Sequence, residues 1–200
     1  MKNIVIIGAG DLGKELVWLI EDINKVKPTY VILGFLDDDI GKINKEFFGY
    51  KVLGTTASLE ELNLKLPLSA VIAIRDGVAR KVIVDAHPDF AHWETILHPT
   101  AVIAPESVLG EGTIMFPHVT VSVDTRIGRF GILYINATVC NDCVVGDFTS
   151  IMTGAVVSEH VTLESGTILN TGAYISPHTK YPEFADNKSG TGDTEKQEDL

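Results

Sequence analysis

The chain has 200 residues, 45% of them hydrophobic and 22% charged, which leaves room for one or two globular domains and excludes a disordered or fibrous class. A net charge of −11 without any basic cluster argues against a nucleic-acid partner. Two cysteines make no disulfide framework, and no apolar run reaches the length of a membrane span.

At the N-terminus, Lys2 and the apolar run Ile4 to Ile7 could open a signal peptide, but the glycines at 8, 10 and 13 and the acids Asp11 and Glu15 interrupt it. The expectation is a soluble, cytoplasmic protein. From residue 3 to 95, strand and helix signals alternate. "NIVIIG" reads as a buried strand, and "DLGKELVWLIEDI" as a helix with Leu12, Leu16, Leu19 and Ile23 on its apolar face. "YVILGFLDD" is a second strand ending in acids, Ser58 to Glu61 has the form of a capping box before a short helix, "SAVIAI" is a third strand, and Asp76 to Ala86 is helical up to Pro88. Such alternation predicts a small doubly wound, Rossmann-like α/β domain with its ligand at the carboxyl ends of the strands.

Gly8-Ala9-Gly10-Asp11-Leu12-Gly13 lies between the first strand and the first helix. Glycines there let a phosphate approach the backbone, and the helix N-terminus supplies N–H donors. Asp37 and Asp38 follow at the end of the second strand, where a ribose acceptor would sit. A domain this short fits a mononucleotide better than a dinucleotide; a tight turn without any ligand is the alternative.

From Ile103 to Ile175 every sixth residue is apolar: Ile103, Leu109, Met115, Val121, Ile127, Leu133, Val139, Val145, Ile151, Val157, Leu163, Leu169 and Ile175. Four places after each comes, as a rule, a small or β-branched residue. Neither a helix nor a flat strand has this period, whereas a solenoid with one short strand per hexapeptide does. Gly110, Gly128 and Gly146 lie 18 apart, as do Ala137, Ala155 and Ala173, so three hexapeptides make one coil. Residues 18 apart then stack at the strand spacing of about 4.8 Å. His118, Asn136, Gly154 and Gly172 form one corner column, and Asp124, Asp142, His160 and His178 another.

Taken together, "VIIGAGDLGKEL", "GFLDDD", "VLG", "VIAIRDGVARK" and "LHPTAVIAPESVLGEGT" before a hexapeptide solenoid resemble the NeuD/PglD family of bacterial sugar acyltransferases over residues 3 to 178. The resemblance implies a left-handed parallel β-helix, a homotrimer, and a nucleotide-linked amino sugar held by the N-terminal domain through Gly8, Gly10, Gly13, Asp37 and Asp38. It also implies acetyl-CoA as acyl donor in the groove between neighbouring solenoids, with Gly154 and Gly172 as coenzyme contacts; the chain's own residues lead to the expectation of no metal. The expected reaction is acetyl transfer to the sugar amine in surface glycan biosynthesis.

The chain departs from the family where the chemistry is concentrated. In "INATVCNDCVVGDF", Asn141 stands where the family carries its general-base histidine, beside Asp142, and Ser150 replaces a second histidine. Arg75-Asp76-Gly77 replaces a Gly-Asp/Asn-Asn loop, and a closing "G-V-P-A-K" segment is absent. An amide has no useful basicity near neutral pH. Three accounts follow: proximity alone carries transfer to an already neutral amine; His160, one coil above Asp142, replaces the base as an imidazole oriented by a carboxylate; or catalysis is lost and a trimeric binding scaffold remains. The bland alternative for His160 is a solvated corner.

Other residues carry less. Cys140 and Cys143 imitate a metal or redox pair, but the period makes Cys143 a small inward residue, and no second pair completes a tetrahedral site. His118 reads as an exposed corner, with a place facing the coenzyme groove as the alternative, His98 as a structural or linking residue at the junction, and His87 and His92 as flanks of a turn. The expected organisation is a nucleotide-sugar domain over 1–97, the β-helix over 98–179, and an acidic disordered tail over 180–200.

Overall fold

A computed structural model describes residues 1–184 and 186–187. The chain forms two compact units, one made of Met1–Arg75 with Ala79–Ile96 and the other of Asp76–Val78 with Leu97 onward. No helix among the described residues is long and apolar enough to cross a membrane.

The first unit is built on strand β1 (Lys2–Ile7), followed by helix α1 (Asp11–Val26), β2 (Tyr30–Leu36), β3 (Glu46–Phe47), β4 (Tyr50–Gly54), α2 (Leu59–Lys65), β5 (Ser69–Ile72) and, from Ala79 on, α3 (Gly77–Ala86). The sheet order is β3-β4-β2-β1-β5, parallel except for the edge pair β3 and β4. Having neighbours on both sides and both faces covered, β1 reads as a continuous apolar run, and Ile4, Val5 and Ile6 are fully buried. In α1 the expected apolar face is buried, with Val17 and Ile20 added to it. Two expectations need correction. The sheet has a further parallel strand and an antiparallel edge, formed by residues 46–54. And Ser58 makes no side-chain cap: it closes a 3-10 turn over Thr56–Ser58 and has helical backbone angles, so its hydroxyl does not meet the N–H groups of α2.

The second unit is the solenoid. Its two-residue strands fall into three parallel sheets, and pairing steps by 18 residues throughout, as in Thr120 with Val102 and Thr138, or Ile132 with Ile114 and Ser150. Among the described residues it is the architecture of a left-handed β-helix. The sixth-place residues fill the interior, with Met115, Leu133, Val139, Ile151, Val157, Leu163 and Leu169 fully buried. The inward threonines are satisfied by backbone carbonyls: Thr125 Oγ1 donates to Cys140 O at 2.7 Å, and Thr167 Oγ1 to Glu164 O at 2.7 Å. Coiling continues beyond residue 179. Lys180–Tyr181 pairs with Thr162–Leu163, and Tyr181 is buried in the core, so the start of the expected tail belongs to the solenoid; residues 185 and 188–200 lie outside the described residues.

Each coil turns three corners, and each corner column takes a positive φ. His118, Asn136, Gly154 and Gly172 have φ of 61, 59, 67 and 69°, and Asp124, Asp142, His160 and His178 have 54, 56, 57 and 59°. The third column is Gly112, Phe130, Phe148, Gly166 and Phe184, with φ from 51 to 71°. Its Phe130 and Phe148 rings stack at 5.4 Å, and a Cβ on Gly112 would come within 2.4 Å of the Phe130 ring.

Candidate functional site

At the carboxyl ends of β1, β2 and β5, where the strand order reverses about β1, a cavity of about 460 Å³ opens. Gly8, Gly10, Asp11, Asp37, Asp38, Asp39, Lys42, Thr56, Ile74 and Arg75 contribute to its wall. The three glycines of the loop do different jobs. Gly8 has φ 105°, and a Cβ there would meet Ala73 O at 2.8 Å, so a turn and a close backbone approach both require it. Gly13 packs helix against strand: a Cβ there would lie 2.3 Å from Gly8 O, and the residue does not line the cavity. Gly10 has nothing within 4 Å of an added Cβ and no side chain to cap α1. Packing therefore does not explain the missing side chain at 10, whereas the first N–H groups of α1 have no intrahelical partners and suit an anion.

Asp37 and Asp38 also reach the cavity wall, already engaged by the chain. Asp37 Oδ2 accepts from Ala9 N at 2.8 Å and from Lys42 Nζ at 2.9 Å, while its Oδ1 accepts from Asp39 N at 3.0 Å. Burial would raise its pKa, but the Lys42 hydrogen bond and the Ala9 and Asp39 N–H groups together outweigh it, and the carboxyl is held below its ordinary value. Asp38 Oδ1 accepts from Thr56 N and Thr56 Oγ1, both at 2.8 Å. Asp37 thus ties the glycine loop to the end of β2, and Asp38 ties the same strand end to the segment before α2.

Two basic residues were not singled out from the sequence. Lys42 bridges Asp37 and the carbonyl of Ala9, at 3.3 Å from the latter. Arg80, only 1% exposed, donates from Nη1 to Ile74 O at 2.9 Å and Arg75 O at 2.6 Å, and so fixes the loop that forms one wall of the cavity. Its signal in the sequence is faint: an arginine on the apolar side of a helix beside a loop that replaces a family motif.

In the solenoid, Asn141 and Asp142 occupy a corner, with Asn141 Nδ2 donating to Asp142 Oδ2 at 2.6 Å. His160 stacks one coil further on, its N–H bonded to Asn141 O at 3.1 Å. The imidazole Nδ1 lies 3.9 Å from Asp142 Oδ2, within ion-pair reach and beyond a hydrogen bond. The His178 ring lies against that of His160, with centroids 4.8 Å apart and planes 8° off parallel. Asn141 is half-buried, and Asp142, His160 and His178 are exposed. Ser150 is fully buried in its strand.

Gly154 and Gly172 have open space around any added Cβ, and His118 is an exposed corner residue in their column. Burial, with the nearby charges of Asp142 and Glu159, pushes the Cys143 thiol up to about 11, and Sγ donates to Ser158 O at 2.9 Å; it is a packing residue that stays protonated near neutral pH. Among the described residues no cluster of three or more His, Cys, Asp or Glu is placed to hold a metal ion. His98 is buried, with Nδ1 2.8 Å from Thr100 Oγ1. His87 is buried against the Glu60 carboxylate, which makes it more than the flank of a turn.

Residues 3–86 match the PglD N-terminal domain family. No curated protein sequence matches the chain. Among solved structures, WeeI from Acinetobacter baumannii is 25% identical with a TM-score of 0.77, over 93% of this chain and 88% of that one. The acetyltransferase domain of PglB from Neisseria gonorrhoeae is 24% identical with a TM-score of 0.76, over 93% and 96%, and has also been solved with acetyl coenzyme A. A histidine-to-alanine variant of GDP-perosamine N-acetyltransferase from Caulobacter crescentus, in complex with CoA and GDP-perosamine, is 24% identical with a TM-score of 0.75, over 96% and 94%. A histidine-to-asparagine variant of that protein also holds both ligands. The likeness runs nearly end to end and establishes the shared two-part fold.

Proposed function

We propose that this chain, a NeuD/PglD-like protein whose residues 3–86 belong to the PglD N-terminal domain family, is an acetyltransferase that moves acetyl from acetyl-CoA to the amine of a nucleotide-linked amino sugar. The observation that carries the reading is the glycine-loop cavity. It lies in a domain of that family, in a chain whose fold follows the PglB acetyltransferase domain and a GDP-perosamine N-acetyltransferase over nine-tenths of its length or more. The nucleotide would bind with its phosphates at the open backbone of Gly10 and the N-terminus of α1, and acetyl-CoA along the solenoid near Gly154 and Gly172. Assembly as a homotrimer, with the coenzyme between neighbouring solenoids, belongs to the same reading.

In the reaction the neutral amine attacks the thioester carbonyl, a C–N bond forms, the tetrahedral intermediate collapses with cleavage of the C–S bond, and CoA leaves as thiolate. The nitrogen must shed one proton. Asn141 cannot take it, since an amide has no useful basicity near neutral pH, and its Nδ2 donates to Asp142. His160 is the candidate acceptor, with Asp142 at ion-pair distance to stabilise the imidazolium that results. Holding an amine in line with a thioester supplies much of the acceleration by itself, and the perosamine enzyme with asparagine in place of histidine still accommodates both ligands.

The test is a coupled CoA-release assay over a panel of nucleotide amino sugars, run on the natural protein, Asn141→His and His160→Ala. Turnover by the natural protein, reduced in His160→Ala, is expected. Activity gained only in Asn141→His would show that the natural protein has lost its base. In that case the amide at 141 favours the second reading, a sugar-nucleotide-binding scaffold, and isothermal titration showing no heat at millimolar acetyl-CoA would decide for it.

A further inference from the structure

Asp142, His160 and His178 leave the solenoid from equivalent corners with nearly identical φ, and their side chains are therefore stacked one above another. On one side of His160 the Asp142 carboxylate is 3.9 Å from Nδ1, and its Oδ2 is taken by the Asn141 amide at 2.6 Å. A carboxylate so placed lends charge to an imidazolium, but at a distance beyond hydrogen bonding it does not direct the ring. The side chain of His160 is also 48% exposed, so packing leaves its torsions free on that side. On the other side lies the His178 ring, parallel to within 8° at 4.8 Å. It is the one ring partner that the column gives His160 among the described residues, and parallel stacking of this kind favours one ring plane.

We infer that His178 is a positioning residue, which holds the plane of His160 so that an imidazole nitrogen is presented to the acceptor amine. The inference rests on the acetyl-transfer reading above, with His160 as base. In the step, the proton leaves the amine nitrogen for His160 as the C–N bond forms, and the C–S bond breaks to release CoA thiolate. His178 neither gains nor loses a proton.

The experiment compares full-length natural protein with His178→Asn, His178→Phe and His160→Ala. Asparagine and phenylalanine both adopt the corner conformation elsewhere in this solenoid, at Asn136 and Phe130, so neither variant asks for a new backbone. Phe keeps a ring over His160, and Asn removes it. Expected is a kcat about tenfold lower in His178→Asn, with KM for acetyl-CoA and for the sugar nucleotide unchanged, and recovery of most of that loss in His178→Phe. In parallel, the ring-proton resonances of His160 should carry a ring-current displacement in the natural protein and in His178→Phe that disappears in His178→Asn. A His178→Phe protein as slow as His178→Asn, an effect confined to KM, or His160 resonances indifferent to residue 178 would each overturn the positioning role. Full turnover in His160→Ala would overturn the base assignment beneath it, and the resonances would still report whether the stack orders His160, which separates the two failures.

Discussion

Under the proposed acetyl transfer, Asn141 is the residue on which the chemistry turns. Its amide donates to Asp142, and His160 and Asp142 stand 3.9 Å apart without a hydrogen bond between them, an arrangement weaker in orientation than a triad. In the other unit, Gly10 and Asp37 make separable predictions. Gly10→Ala should leave the melting temperature within about 2 °C of the natural protein while weakening nucleotide-sugar binding at least tenfold by titration calorimetry, since its Cβ meets no protein atom and faces the cavity. Asp37→Asn should destabilise at neutral pH. Because the folded carboxyl titrates below its ordinary value, its contribution is fully present above the unfolded value of about 4 and is lost as pH falls through the lower, folded one. The difference in melting temperature between the two proteins should therefore shrink steadily below about pH 4. Arg80→Ala removes a buried guanidinium from two carbonyls of the cavity wall and should cost about 2–4 kcal/mol in urea unfolding.

At the scale of the element, the corner columns explain why the solenoid tolerates histidine, aspartate and phenylalanine where φ is positive. Stacking at the coil spacing offsets the backbone cost, as in the parallel Phe130 and Phe148 rings. Phe130→Ala should accordingly cost about 3–5 kcal/mol, and Gly112→Ala should also destabilise, because its Cβ would collide with that same ring. In a double mutant the two effects should add to less than their sum, since removal of the ring relieves the collision. The phenylalanine column, Gly112, Phe130, Phe148, Gly166 and Phe184, was not singled out from the sequence, although it obeys the same step of 18 that revealed the other two columns. The five-stranded sheet was less legible: the two-residue strand Glu46–Phe47 is too short for any hydrophobic period to register.

At the scale of the whole chain, the solenoid is a one-dimensional stack in which each coil is stabilised by its neighbours. Truncation after Thr179 should therefore strip Tyr181 from the core and Lys180–Tyr181 from Thr162–Leu163, and lower stability by about 2–4 kcal/mol, visible as a lower melting temperature. A chain that truly ended its fold at 179 would not change. The near end-to-end likeness to WeeI and to the PglB acetyltransferase domain means that both units are present together, as in those structures.

The sequence by itself determined the solenoid, its period of 18 and the glycine loop, because each is a repeating or local pattern in which spacing along the chain maps directly onto position. It also located Asn141 and named His160 as the residue stacked on its neighbour Asp142. Only the tertiary structure decided that Asp142 stands too far from His160 to orient it, and that His178 is the ring against which His160 rests. It alone showed that Asp37 is tied to Ala9 and Lys42, and that Arg80 is buried beneath the cavity wall. The reason is physical: a period fixes which residues share a column to within one strand spacing, whereas a hydrogen bond is decided within a few tenths of an ångström by side-chain torsions that no period encodes.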